Sequence, residues 1–187
     1  MSLAEWFDTL VTPTVSERPL ALLDDERVTY GQIRERAWAI GSGLQRLGAT
    51  GERVVTMLPN DPALLAIQLG TLHAGGIAVP VIAEGTPDEM RHFVEDSEAS
   101  IVIATPERWA AIAPLLRKPP RVVVLSEPPG AAVHAGGPEL VELAQVERDG
   151  AELGLDPVAV RDTDPMALMY TSGSTSRPKG VVIDAAS

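Results

Sequence analysis

Two textures of apolar residues alternate along this chain. Short β-branched runs, Arg53–Met57, Ile77–Val81, Ser100–Ala104 and Arg121–Leu125, are nearly continuous in apolar side chains. Strands covered on both faces read this way, because neither side of the pleat meets water. Between the runs the period changes. Tyr30, Ile33, Ala37, Ile40, Leu44 and Leu47 recur at threes and fours after Thr29 and stop at Gly48, which predicts one helix with a single apolar stripe. Asp61-Pro62, Thr86-Pro87-Asp88-Glu89 and Thr105-Pro106-Glu107 each place a side-chain oxygen before a proline. The oxygen can accept from free first-turn amides and proline suits the first helical position, so three more helices are predicted there. Thr86 and Glu89 have capping-box spacing. Strand and helix alternate repeatedly, so the expected architecture is an α/β fold, a mainly parallel sheet with helices on both faces.

The flanks read differently. Leu20–Leu23 and Arg27–Thr29, split by Asp24-Asp25-Glu26, predict a small hairpin, and Trp6 with Phe7 is expected to staple an N-terminal helix to the core. Residues 126–165 are rich in Pro, Gly, Ala and acidic side chains, and read as a long connection with one short helix around Leu140, Leu143 and Val146. Order resumes with a strand over Met166–Tyr170, then a loop of small polar residues, then a strand at Val181-Val182-Ile183, so that 166–183 reads as strand–loop–strand inside a single unit covering 1–187.

Composition narrows the partners. With 187 residues, 45% hydrophobic and 22% charged, the chain is long enough for one domain with a buried core. The net charge of −11 argues against nucleic acid and anionic membrane surfaces as partners. There is no cysteine, which excludes disulfides and thiolate metal sites. The start of the chain lacks the basic and apolar segments of a signal peptide, so a cytoplasmic setting is expected. Pro62–Ala83 runs 22 residues without a formal charge, long enough to span a bilayer. Gln68, His73, Gly75-Gly76 and Pro80 interrupt it, and a buried helix, a glycine break and a buried strand account for it better.

The candidate chemistry lies in Tyr170-Thr171-Ser172-Gly173-Ser174-Thr175-Ser176-Arg177-Pro178-Lys179-Gly180. Glycines let a backbone approach an anion closely, hydroxyls add donors, and Lys179 adds a mobile positive charge. Gly173 to Lys179 has the spacing of a nucleotide-binding P-loop, but Pro178 stands where its second glycine belongs and Gly180 where a magnesium-binding hydroxyl is needed. A strand, not a helix, follows. On composition alone a surface loop of small polar residues is the competing reading. His73 reads as a buried, hydrogen-bonded core histidine; His92 and His134 have no ligand-spaced partners; the acidic residues of 84–98 read as a solvated helix face.

The ten matching positions Tyr170–Thr175 and Pro178–Val181 resemble the phosphate-loop signature of the adenylate-forming enzymes, which include acyl-CoA synthetases, fatty-acyl-AMP ligases, luciferases and peptide-synthetase adenylation domains. Val28–Ile33, Arg53–Asn60, Leu72–Pro80 and Thr86–Met90 are similar to further segments of that family, in its order. The resemblance implies a chain that is an incomplete N-terminal domain of a ligase using ATP and Mg2+. In such a ligase a carboxylic acid is activated as acyl-adenylate, and the acyl group then passes to CoA or a carrier-protein thiol. It implies phosphate contacts from Thr171, Ser172, Gly173, Ser174, Thr175, Lys179 and Gly180, with no complete catalytic set and no metal ligand in this chain. Ser176 replaces a glycine of the family pattern, and Ala185 stands about where a histidine is common. Gly76–Val81 also resembles fatty-acyl-AMP ligases, so the acceptor stays open, as does a non-catalytic interaction role for the piece as it stands. Exposed surfaces are expected to self-associate, as a homodimer pairing edge strands; a monomer in light scattering at high concentration refutes that expectation.

Overall fold

A computed structural model describes residues 3–23, 26–60, 62–81, 85–128, 137–171 and 178–186. Helix α1 (Leu3–Leu10) and a short α2 (Pro13–Ser16) precede a two-stranded antiparallel sheet, β1 (Pro19–Leu23) with β2 (Glu26–Thr29). There follow α3 (Tyr30–Arg46), β3 (Arg53–Met57), α4 (Pro62–His73), β4 (Ile77–Pro80), α5 (Pro87–Asp96), β5 (Ile101–Ala104), α6 (Pro106–Ile112) and β6 (Val122–Leu125). The chain closes with β7 (Glu139–Glu142), α7 (Leu143–Leu153), β8 (Pro165–Thr171) and β9 (Lys179–Asp184).

Seven strands form the main sheet in the order β7-β6-β5-β3-β4-β8-β9. All neighbours are parallel except β8 and β9. Continuity of the apolar runs has the physical cause expected of it. Val54, Ile101, Ile103, Val122 and Val124 face one core with α3 and α4, while the alternate residues Val55, Val102, Ala104, Val123 and Leu125 face a second core with Met90 and Val94 of α5 and Trp109 and Ile112 of α6. The α/β fold with a mainly parallel sheet and helices on both faces is therefore the observed one.

Two of the three predicted helix starts show their caps, and Asp61, the third, lies outside the described residues. Thr86 accepts from Glu89 N–H while the Glu89 carboxylate accepts from Thr86 N–H; Thr105 accepts from Arg108 N–H. Thr29 and Gln32 form a second reciprocal box at the start of α3, legible by the same spacing rule.

Three expectations need correction. Trp6 is 46% exposed, whereas Ala4, Phe7 and Val11 are buried. Ala4, Phe7 and Val11 recur at threes and fours and share one face, so Phe7, stacked against Tyr30, holds α1 together with Ala4 while Trp6 turns to solvent. Leu140 belongs to a strand, not a helix: β7 pairs parallel to β6 at the sheet edge, and α7 begins only at Leu143. The stretch 126–165 therefore contains a strand as well as a helix. The acidic face of 84–98 is not simply solvated, since Arg91 donates to Asp88 and Glu95 and Glu95 also accepts from Arg117 N–H at 2.8 Å. That amide and the Arg91 guanidinium hold the Glu95 carboxyl below its usual range.

His73 is buried as expected. Its Nε2 donates to the Leu155 carbonyl at 2.9 Å, its ring lies 4.8 Å from that of Trp38, and its buried Nδ1 has no partner among the described residues. Burial lowers its pKa, against the smaller opposing effect of the Leu155 hydrogen bond. No helix among the described residues is long and apolar enough to cross a membrane.

Candidate functional site

The loop-bearing strands sit at one side of the sheet. β8 lies beside β4 with Ala167 opposite Ala78, and β9 returns antiparallel with Thr171 opposite Lys179 and Tyr170 opposite Gly180. Successive side chains on a strand point to opposite faces, and the packing shows which. Leu168 and Tyr170 join the second core, on the side of α5, while Ala167 packs with Ala4, Leu72 and Ala78 on the other side. Thr171 and Lys179 thus share the face away from α5. Both are exposed, and they face each other across the hairpin where it opens into the loop.

Of the residues expected to hold phosphate, Thr171, Lys179 and Gly180 are brought together in this way. Ser172, Gly173, Ser174 and Thr175 lie outside the described residues, as do Ser176 and Arg177. Gly180 has a packing requirement of its own. A Cβ there would stand 2.8 Å from Leu168 Cδ1 and at an ordinary contact distance of 3.5 Å from Tyr170 Cζ, so it is the Leu168 side chain, not the tyrosine ring, that fills the space the glycine leaves.

The surroundings of Tyr170 were not legible as functional. Its phenol donates to Asp96 Oδ2 at 2.8 Å, and its ring packs 4.7 Å from Phe93 and 6.2 Å from His92. Burial, and then the Asp96 carboxylate that the phenol donates to, push its pKa far above the usual tyrosine range. His92 Nε2 lies 3.2 Å from the Pro178 carbonyl oxygen. A carbonyl only accepts, so this ring nitrogen carries the proton. Both flanks of the loop are therefore tied to one helix, α5.

The described donors suit phosphate oxygens: a hydroxyl at Thr171 and an ammonium at Lys179. Among the described residues no group of three or more His, Asp or Glu side chains gathers to hold a metal ion.

Comparison with known proteins places the fold. Feruloyl-CoA synthase from Amycolatopsis sp is 32% identical over 157 residues, 83% of this chain but 28% of that protein. The dimodular nonribosomal peptide synthase of Bacillus subtilis (strain 168) is 30% identical over 186 residues, 98% of this chain and 7% of that one. The crystal structure of the anthranilate CoA ligase AuaEII in complex with anthranoyl-AMP superposes with a TM-score of 0.82 at 21% identity, over 99% of this chain and 35% of its own. The chain thus spans about a third or less of the length of these relatives. The model of the AMP-binding enzyme family matches residues 12–187. With its parallel sheet, two helical layers and a glycine-, serine- and threonine-rich loop between β8 and β9, the chain belongs to the AMP-binding enzyme family.

Proposed function

We propose that this chain supplies the triphosphate-gripping part of an ATP-dependent ligase that activates a carboxylic acid as its acyl-adenylate. The observation that carries the reading is the placement of Thr171 and Lys179 as exposed partners at the loop end of the β8–β9 hairpin, inside a stretch of the family type. In the reaction a carboxylate oxygen attacks the α-phosphorus of ATP. The bond from that phosphorus to the bridging oxygen of the β-phosphate breaks, and pyrophosphate leaves with the electron pair. Negative charge grows on the β- and γ-phosphates, so donors fixed around them lower the barrier without any covalent step. Lys179 supplies the compensating charge. Thr171, Ser172, Ser174 and Thr175 supply hydroxyls, and Gly173 and Gly180 let the backbone come close. Mg2+ bound with ATP would supply further positive charge beside Lys179.

CoA is the acceptor we favour, supported by the likeness to feruloyl-CoA synthase. The chain covers only 28% of that relative, and we read it as inactive by itself in carboxylate-dependent ATP–pyrophosphate exchange, with weak ATP binding. Calorimetric titration with ATP tests the site. Lys179→Ala is expected to weaken binding about tenfold or more, the scale of one lost charge-assisted hydrogen bond. Equal affinity in the two proteins overturns the phosphate reading, and exchange catalysed by the purified chain overturns its inactivity.

A further inference from the structure

The β8–β9 hairpin is the least supported part of the main sheet. A single pair, Ala78 with Ala167, registers β8 on β4. β9 is an edge strand, and its Val181 and Val182 are 50% and 64% exposed. By contrast the inner strands β3, β5 and β6 are paired along their lengths and buried on both faces. Little burial therefore fixes the hairpin in place, and specific contacts must set the position of its loop end.

Those contacts come from α5 on both flanks of the loop. On the β8 side Asp96 takes the Tyr170 hydroxyl and Phe93 packs on the ring. On the β9 side His92 donates to the Pro178 carbonyl. Among the described residues there is no cis peptide. In a planar trans peptide the carbonyl and the following N–H point opposite ways, so a Pro178 carbonyl held toward α5 turns the Lys179 N–H away from it. Side-chain alternation then carries Thr171 and Lys179 onto the face opposite the helix.

We propose that His92 and Asp96 are positioning residues: acting through Pro178 and Tyr170 from one face of the hairpin, they fix the relative placement of Thr171 and Lys179 on the other. The proposal deepens the phosphate-binding reading and rests on it for the identity of the ligand. Neither side chain touches phosphate.

The test uses the 187-residue chain and inorganic pyrophosphate as the probe. His92→Ala and Asp96→Ala are each expected to weaken pyrophosphate binding by about fivefold to tenfold, the scale of one lost hydrogen bond. In the same variants amide exchange is expected to speed up in 167–171 and 179–184 while β3, β5 and β6 keep their protection. His92→Gln, which keeps an N–H donor, and Asp96→Asn, which keeps an acceptor, are expected to restore both measurements. Asp96→Ala in a Tyr30→Phe background should also let the Tyr170 phenol ionise at lower pH, read by ultraviolet absorbance. Unchanged hairpin exchange in both alanine variants overturns the proposal, and so does loss of protection spread evenly over the whole sheet. If the unaltered chain fails to bind pyrophosphate, the phosphate reading fails. The exchange and absorbance measurements then still decide whether α5 holds the hairpin.

Discussion

Replacing Gly41 by alanine sets two opposed effects against each other. Gly41 lies inside α3, where an alanine normally stabilises by roughly 0.5–1 kcal/mol because it restricts the unfolded chain. Here the added Cβ would stand 2.4 Å from His73 Cδ2, 2.6 Å from Cγ and 2.7 Å from Cβ. The last contact decides the sign. A distal ring atom could swing aside, but a Cβ moves only with its backbone. His73 is also held by Leu155 and packed on Trp38, and its own carbonyl accepts from Val158 N–H. Overpacking of this kind costs about 1–3 kcal/mol, so Gly41→Ala is expected to be destabilising by about 1–2 kcal/mol net. For a domain of this length that lowers Tm by about 2–8 °C. Thermal and urea unfolding measure it, and a cycle with His73→Gly, which removes the Cβ too, isolates the clash. With the His73 Cβ removed as well as the ring, the same Gly41→Ala change should stabilise instead. A stabilised Gly41→Ala protein, or an equal cost in both backgrounds, refutes the reasoning.

Two pH effects follow from opposite shifts. His73 has a lowered pKa in the folded protein, so the unfolded chain binds its proton more readily. Stability present above the ordinary histidine pKa of about 6.5 is lost as pH falls below it. Unfolding midpoints between pH 7.5 and 5 check this, and an equally steep acid decline in His73→Gln counts against the assignment. Tyr170 is shifted upward, so the folded protein keeps a proton that the unfolded chain releases above about pH 10. Stability then falls with rising pH in that range. Tyr170→Phe should flatten the decline, and an unaltered alkaline slope removes Tyr170 as its source.

How legible a feature was depended on how local its cause is. The inner strands were readable to within about a residue because burial on both faces forces an apolar run, and the helix starts because a cap is a contact three residues long. β7 was not readable. Glu139-Leu140-Val141-Glu142 lies at the sheet edge, with Leu140 and Val141 packed toward different cores and two carboxylates beside them. Its apolar pair alone looked like part of the following helix. The insertion of β8 beside β4 rests on pairing between segments far apart in the sequence, to which composition is blind. The loop's proposed chemistry was inferable from its glycine, hydroxyl and lysine content. Its anchors were not: Tyr170 and Asp96 are 74 positions apart, and His92 and Pro178 are 86. His92 has no ligand-spaced partner, and Asp96 looks like one more surface acid until the strands are placed.

That distribution has a physical logic. On the phosphate-binding reading proposed above, the hairpin must present hydroxyls, amides and an ammonium to solvent, and such groups could not be buried in a parallel core and still meet a ligand. They therefore sit on the antiparallel outer hairpin, where burial is least and local opening costs least free energy. The inner strands and their two helical layers carry the stability and leave the hairpin free to expose Thr171 and Lys179. A weakly held element is a poor scaffold for charge stabilisation, however, because donors that wander lose the advantage of being fixed in advance. Tying both flanks of the loop to α5 resolves the conflict without covering the ligand face. On this account stability and phosphate affinity are separable in this protein. Substitutions at Thr171 or Lys179 act on affinity, those among the buried valines of β3 and β6 act on stability, and those at His92, Asp96 and Tyr170 are where the two meet.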